Sequence, residues 1–261
     1  MLGIGISADG QGSPGAGRIE RFQIQSAQYG RARTVWIYTP RDYSSRVTND
    51  LIIAFDGADY QQVMPLPRVL DSLAALKKIA PSVAVLIDDS ASSERIAELG
   101  NSPRFAKFLG DEVVPWVRKR WTVTRDPHRT TLTGSSAGGL AAAYVALQRP
   151  DLFGNVFSQS GAFWRGFDGS NGAPYEYLAS AYGGAAKADI RFVLDVGERE
   201  NHATLGGSGP NFLEATRRFH AVLKEKGYDV TYAEVPGGEH SPESWGRRLG
   251  DGLVAAARPR G

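Results

Sequence analysis

Arg129-Thr130-Thr131-Leu132-Thr133-Gly134-Ser135-Ser136-Ala137-Gly138-Gly139 leads from a β-branched run through Gly-x-Ser-x-Gly into the alanine-rich run Leu140-Ala141-Ala142-Ala143-Tyr144-Val145-Ala146-Leu147. β-Branched residues favour strand, whereas alanine and leucine favour helix, so this stretch reads as strand, sharp turn and a helix ending near Pro150. That is the sequence form of a nucleophile elbow. A serine hydroxyl attacks poorly unless a base can reach it and a helix N-terminus can help hold the charge that forms. Ser136 has glycine at both minus two and plus two, Gly134 and Gly138, which leave room for the turn. Ser136 is therefore the expected nucleophile and Ser135 its structural neighbour.

Composition narrows the classes around this motif. The 261 residues suit one large domain, and a formal charge of +2 from 30 basic and 28 acidic residues is near neutral. The basic residues are spread along the chain, so neither nucleic acid nor a membrane surface is expected as partner. There is no cysteine, which excludes disulfides, zinc-thiolate sites and a cysteine nucleophile. No metal and no cofactor are expected. Residues 1–17 are rich in glycine and serine without the long apolar centre of a secretory signal, and read as a flexible leader in a cytoplasmic protein, with the folded domain over 18–261.

Beyond the leader, strand-like and helix-like segments alternate, which predicts an α/β fold: a mostly parallel sheet with helices on both faces. Strands are expected over 19–25, 34–38, 51–55, 83–87, 130–133, 155–159, 190–196 and 230–235. Helices are expected over 66–79, 103–120, 137–148 and 211–226. In the last, Phe212, Ala215, Phe219 and Val222 recur at helical spacing, with charged residues between them. The glycine-rich, aromatic stretch 160–188 reads as a lid or binding insertion outside the core.

Four histidines are available as base: His128, His202, His220 and His240. In an α/β-hydrolase the chain order is serine, acid, histidine, and the histidine follows the last core strand. His240 stands there, in Val235-Pro236-Gly237-Gly238-Glu239-His240-Ser241-Pro242, and is preferred to its one competitor, His202. The acid should lie at the end of the preceding strand, where Asp195, Glu198 and Glu200 are candidates. Asp195 falls inside the strand and suits a structural tie. Glu200, farther past Gly197 than Glu198, is preferred, and a Ser136–His240 dyad is the alternative. Oxyanion donors are expected from the amide of Ala137 and from Ala58, where Leu51-Ile52-Ile53-Ala54-Phe55 stops at Asp56-Gly57.

With these residues in place the chain resembles the putative-esterase family of α/β-hydrolases, and within it the catalytic domain of the enterochelin (ferric enterobactin) esterases. The resemblance spans about 19–253. It is carried by Ile53-Ala54-Phe55-Asp56-Gly57, Arg95-Ile96-Ala97-Glu98-Leu99, Pro115-Trp116-Val117, Gly134-Ser135-Ser136-Ala137-Gly138-Gly139, Pro150-Asp151-Leu152-Phe153-Gly154, Ser158-Gln159-Ser160-Gly161-Ala162-Phe163-Trp164 and Pro236-Gly237-Gly238-Glu239-His240. It implies that Ser136 and His240 match the catalytic pair and that Arg95 matches an arginine near the substrate cleft. It also implies a small-molecule ester substrate of the catecholate siderophore trilactone class, an iron–siderophore complex included. Arg95, Trp164 and Arg165 are the candidates for gripping such an acyl group by charge and cation–π contact; their structural alternative is core filling and surface charge. A feruloyl or acetyl esterase acting on polysaccharide, and a hydrolase fold reused for binding, are the competing functions.

Overall fold

The computed structural model describes residues 16–88, 94–167, 176–201 and 211–260. Among them, eight runs rich in β-branched and apolar residues form β1 (Arg18–Ser26), β2 (Arg31–Thr39), β3 (Asp50–Ala54), β4 (Ser82–Ile87), β5 (Thr130–Ser135), β6 (Asn155–Gln159), β7 (Arg191–Gly197) and β8 (Asp229–Val235). They make one sheet in the order β1-β2-β4-β3-β5-β6-β7-β8. β2 pairs antiparallel with both β1 and β4, and the remaining pairs are parallel. The sheet is thus the mostly parallel one expected of an α/β-hydrolase. β5, which carries the elbow, lies in its middle.

Helices α1 (Gly57–Gln62), α2 (Leu66–Ala75), α3 (Arg95–Leu99), α4 (Pro103–Lys107), α5 (Val114–Arg118), α6 (Ala137–Gln148), α7 (Tyr177–Gly184), α8 (Phe212–Glu225), α9 (Pro242–Gly246) and α10 (Leu249–Ala257) cover both faces. A π-helical turn over Phe108–Val113 joins α4 to α5. Successive strand residues point to opposite faces, so β3 divides its side chains between two cores. Leu51 and Ile53 pack with α4, α6 and α8, while Ile52 and Ala54 pack with α2 and α10. Because both faces are covered, the central strands β5, β6 and β7 are buried along their whole length rather than on alternate residues. α6 is buried from Ala137 to Ala146, and its run of alanines lets it sit close to the sheet.

The stretch 160–188 departs from its reading as an insertion outside the core. Phe163 and Tyr182 are almost wholly buried, and α7 packs on α8. Phe163 stacks on Phe219 with centroids 4.2 Å apart, and Tyr182 donates a 2.8 Å hydrogen bond to the carbonyl of Ala143. The aromatic residues here fill space between α8 and β7 without helical spacing, which is why periodicity missed them. Truncating Phe219 to alanine should cost about 3–5 kcal/mol. Residues 168–175, with Tyr175, and 1–15 of the expected leader lie outside the described residues.

Candidate active site

The elbow is built by close approach. A Cβ on Gly134 would stand 2.4 Å from the backbone of Gly138, and one on Gly139 would stand 2.4 Å from the Ser158 hydroxyl. A side chain at Gly134 would push α6 off β5, and one at Gly139 would have to displace the Ser158 hydroxyl on β6. Between them Ser136 adopts φ 56° and ψ −120°, a conformation that an L-residue keeps only when its surroundings hold it. Here its amide donates to the Gln159 carbonyl at 2.9 Å, and its carbonyl accepts from Ala162 at 3.0 Å. The strained turn is thereby clamped to the end of β6.

The C-terminal ends of β5, β7 and β8 bring three predicted residues together. His240 Nε2 lies 3.0 Å from Ser136 Oγ, and His240 Nδ1 lies 2.6 Å from Glu200 Oε2. Glu200 is almost entirely buried, and its other oxygen, Oε1, accepts from the Gly197 amide at 2.8 Å. An ionised carboxylate on Nδ1 favours the tautomer with its proton there, leaving Nε2 to take the serine proton. The imidazole is held from both sides. Phe212 lies against one face with centroids 4.1 Å apart, and Trp245 meets it edge-on at 4.8 Å. Of the other acid candidates, Asp195 accepts from Arg248 at 2.9 Å and from Gln159 at 3.2 Å, and Glu198 is exposed on the turn. Burial pushes the Asp195 carboxyl up to about 6, against the opposing pull of Arg248 and Gln159.

Two first-turn amides face this end of the sheet. Ala137 opens α6, and Ala58 lies in the first turn of α1, so neither has an acceptor within its own helix. Asp56, at φ 57°, turns the chain from β3 into α1. A Cβ on Gly138 would come within 3.4 Å of both Phe55 and Asp56, which places this turn against the elbow. Arg95, on α3, grips the buried Asp56 through Nε at 2.5 Å and Nη2 at 2.6 Å. The charge match and the fork fix the turn that carries Ala58.

Trp164 meets Phe212 edge-to-face at 5.9 Å, one ring removed from His240. The Arg165 guanidinium lies over the Trp164 ring at 5.5 Å and against Gly100 at the end of α3. Trp164 Nε1 and Arg165 Nε are buried, with no acceptor among the described residues. Of the remaining histidines, His128 sits at the other end of the sheet, 2.9 Å from Asp189. His220 stacks on Tyr232 with centroids 4.3 Å apart, and burial lowers its pKa. His202 lies outside the described residues. A pocket of about 270 Å³, lined by Asp50, Ser82, Arg129 and Asn155, opens at the N-terminal ends of the strands and is remote from Ser136. Ligands of parallel α/β sheets bind at the C-terminal ends, so the serine end is the candidate site. Among the described residues no group of three or more histidines and carboxylates could hold a metal ion, and no helix is long and apolar enough to cross a membrane.

Sequence reasoning missed the residues behind the three central ones, Gln159, Ser160 and Trp245. Their signal was present only as Ser160-Gly161 after a strand and a tryptophan one helical turn past the histidine.

Comparison with known proteins agrees with this architecture. The iron(III) enterobactin esterase of Escherichia coli (strain K12) is 31% identical over 237 residues, covering 90% of this chain and 56% of the relative. A protein of Bacillus subtilis (strain 168), YjcH, is 24% identical over 241 residues and is covered over 95% of its length. The crystal structure of the enterobactin esterase FES from Shigella flexneri, in the presence of 2,3-di-hydroxy-N-benzoyl-serine, superposes with a TM-score of 0.78 at 30% identity, covering 92% of this chain and 59% of that one. A ferulic acid esterase, at 13% identity and a TM-score of 0.73, shares the fold. The chain spans little more than half the length of the enterobactin esterases it matches. The family model described as Putative esterase matches residues 26–256. With that match running from the end of β1 into α10, the chain belongs to the Putative esterase family, on the α/β-hydrolase fold.

Proposed function

We propose that the chain is a serine carboxylesterase in which Ser136 attacks, His240 moves the proton and Glu200 orients His240. The observation that carries this reading is the unbroken line Ser136 Oγ, His240 Nε2, His240 Nδ1, Glu200 Oε2, with steps of 3.0 and 2.6 Å. In it His240 takes the Ser136 proton as Oγ bonds to the ester carbonyl carbon, and Glu200 stabilises the imidazolium without taking that proton. The carbonyl oxygen becomes an oxyanion that accepts from the amides of Ala137 and Ala58. His240 then protonates the leaving alcohol, and water, activated by the same imidazole, releases the acid and restores Ser136.

The substrate in this reading is a bulky aromatic ester of the catecholate siderophore trilactone class, free or with bound iron. The similarity to enterobactin esterases supports it. Arg95, Trp164 and Arg165 form the acyl side of the cleft in this account. The test is a hydrolysis panel read by mass spectrometry, with enterobactin and its iron complex set against methyl ferulate, acetylated xylan and p-nitrophenyl butyrate. Faster turnover of the trilactones per molar enzyme is expected. Preference for ferulate or acetylxylan over every trilactone would reject the siderophore assignment and leave the serine chemistry standing.

A further inference from the structure

Ser160 is fully buried and adopts φ 49°, a left-handed conformation that glycine would accept more readily. Its hydroxyl donates to Glu200 Oε1 at 2.6 Å and accepts from Trp245 Nε1 at 2.9 Å. The directions are fixed by chemistry: an indole N–H can only donate, so the single Ser160 proton must go to the carboxylate. Each donor polarises the next, and the chain ends on the anion that holds His240. Trp245 thus acts on the catalytic pair twice, through Ser160 on the acid and through its ring edge on His240.

We infer that Ser160 is a positioning residue for ester hydrolysis and that Trp245 sets the direction of its hydroxyl. Together they fix the rotamer of Glu200 so that only Oε2 meets the imidazole. The inference rests on the serine esterase reading above. Glu200 Oε1 keeps the Gly197 amide when Ser160 is removed, so orientation is weakened rather than abolished. A hydrogen bond to a charged group is strong enough that its loss should lower kcat roughly ten- to a hundredfold. No substrate contact is lost, so KM should stay within about twofold.

The experiment measures kcat and KM for p-nitrophenyl butyrate in Ser160→Ala and Trp245→Phe, each alone and combined with Glu200→Ala, with circular dichroism to report folding. Ser160→Ala is expected to lose kcat as stated, and Trp245→Phe, which keeps a ring but drops the N–H, to lose roughly three- to tenfold. In the Glu200→Ala background both should cost less than about twofold, because the group they position is gone. If Ser160→Ala does not fold, Trp245→Phe decides by the same comparison. Equal losses with and without Glu200, a change confined to KM, or no change in kcat would overturn the inference. Ser136→Ala run alongside separates the failures. Retained turnover there would overturn the esterase reading itself, whereas a dead Ser136→Ala beside fully active Ser160→Ala and Trp245→Phe would sink only the positioning role.

Discussion

The amide of Ser136 donates to the carbonyl of Gln159 at 2.9 Å, tying the elbow at the end of β5 to the last residue of β6. One residue later Ser160 reaches Glu200, and the Gln159 side chain reaches Asp195 and the carbonyl of Trp245. A short turn after a central strand therefore couples Ser136, Glu200 and the helix that follows His240. This buried polar layer sets the distances on which the proposed chemistry depends, and it makes each of its members open to test.

His240→Ala should lose activity on an aryl ester nearly as completely as removal of the serine, on the order of a million-fold, because in the proposed mechanism the two act as one proton-transfer unit. His128→Ala and His220→Ala should keep most of it, since His128 is paired at the far end of the sheet and His220 is stacked on Tyr232. His202→Ala should also remain active. Steady-state kinetics on the four variants decide this, and a dead His202→Ala beside an active His240→Ala would reassign the base.

Glu200→Gln should fall by roughly ten-thousandfold in kcat, the scale on which the orienting carboxylate of such a triad acts. Glu198→Gln, on the exposed side of the turn, should stay within about threefold. Comparable, mild losses in both would point to a Ser136–His240 dyad.

Arg95→Ala should leave the buried Asp56 carboxylate without its fork and loosen the turn that carries Ala58. Because Arg95 is about a quarter exposed, its side chain at 25%, part of that charge is screened by water. A roughly tenfold loss of kcat/KM on a neutral ester is expected, with a further loss, seen in KM, on an anionic acyl group. Equal losses on both esters would confine Arg95 to holding the turn.

Asp195 gives a pH signature. Its folded-state carboxyl is raised from 3.8 to about 6 by burial, so the neutral form is the one folding favours. Its stabilising contribution is complete below pH 3.8 and is lost as the pH rises through about 6. Relative to Asp195→Asn, which cannot ionise, the protein should lose on the order of 2–3 kcal/mol of stability across that window. Thermal melts of both at several pH values check it, and parallel curves would contradict it.

The parts of this site that sequence disclosed are those where backbone chemistry leaves few choices. Gly134 and Gly138 flank Ser136 because strand and helix nearly touch there, and His240 follows the last strand on a glycine loop. Glu200 was separable from Glu198 only by its distance past Gly197; burial, which distinguishes them in the folded chain, is a property of the tertiary structure. Ser160 and Trp245 stayed hidden because their role is a pairing across 85 residues, which no local pattern encodes. α1, α3 and α9 were missed for a related reason. Each is six residues or fewer, too short for periodicity to register, and is held by tertiary contacts rather than by propensity.

The most direct test of the account is the turnover of p-nitrophenyl butyrate by Ser136→Ala, with circular dichroism confirming the fold. The predicted result is a folded protein whose kcat has dropped on the order of a million-fold, to the residual rate that binding and the oxyanion amides alone sustain. A folded Ser136→Ala that turns the ester over at the parent's rate would contradict it.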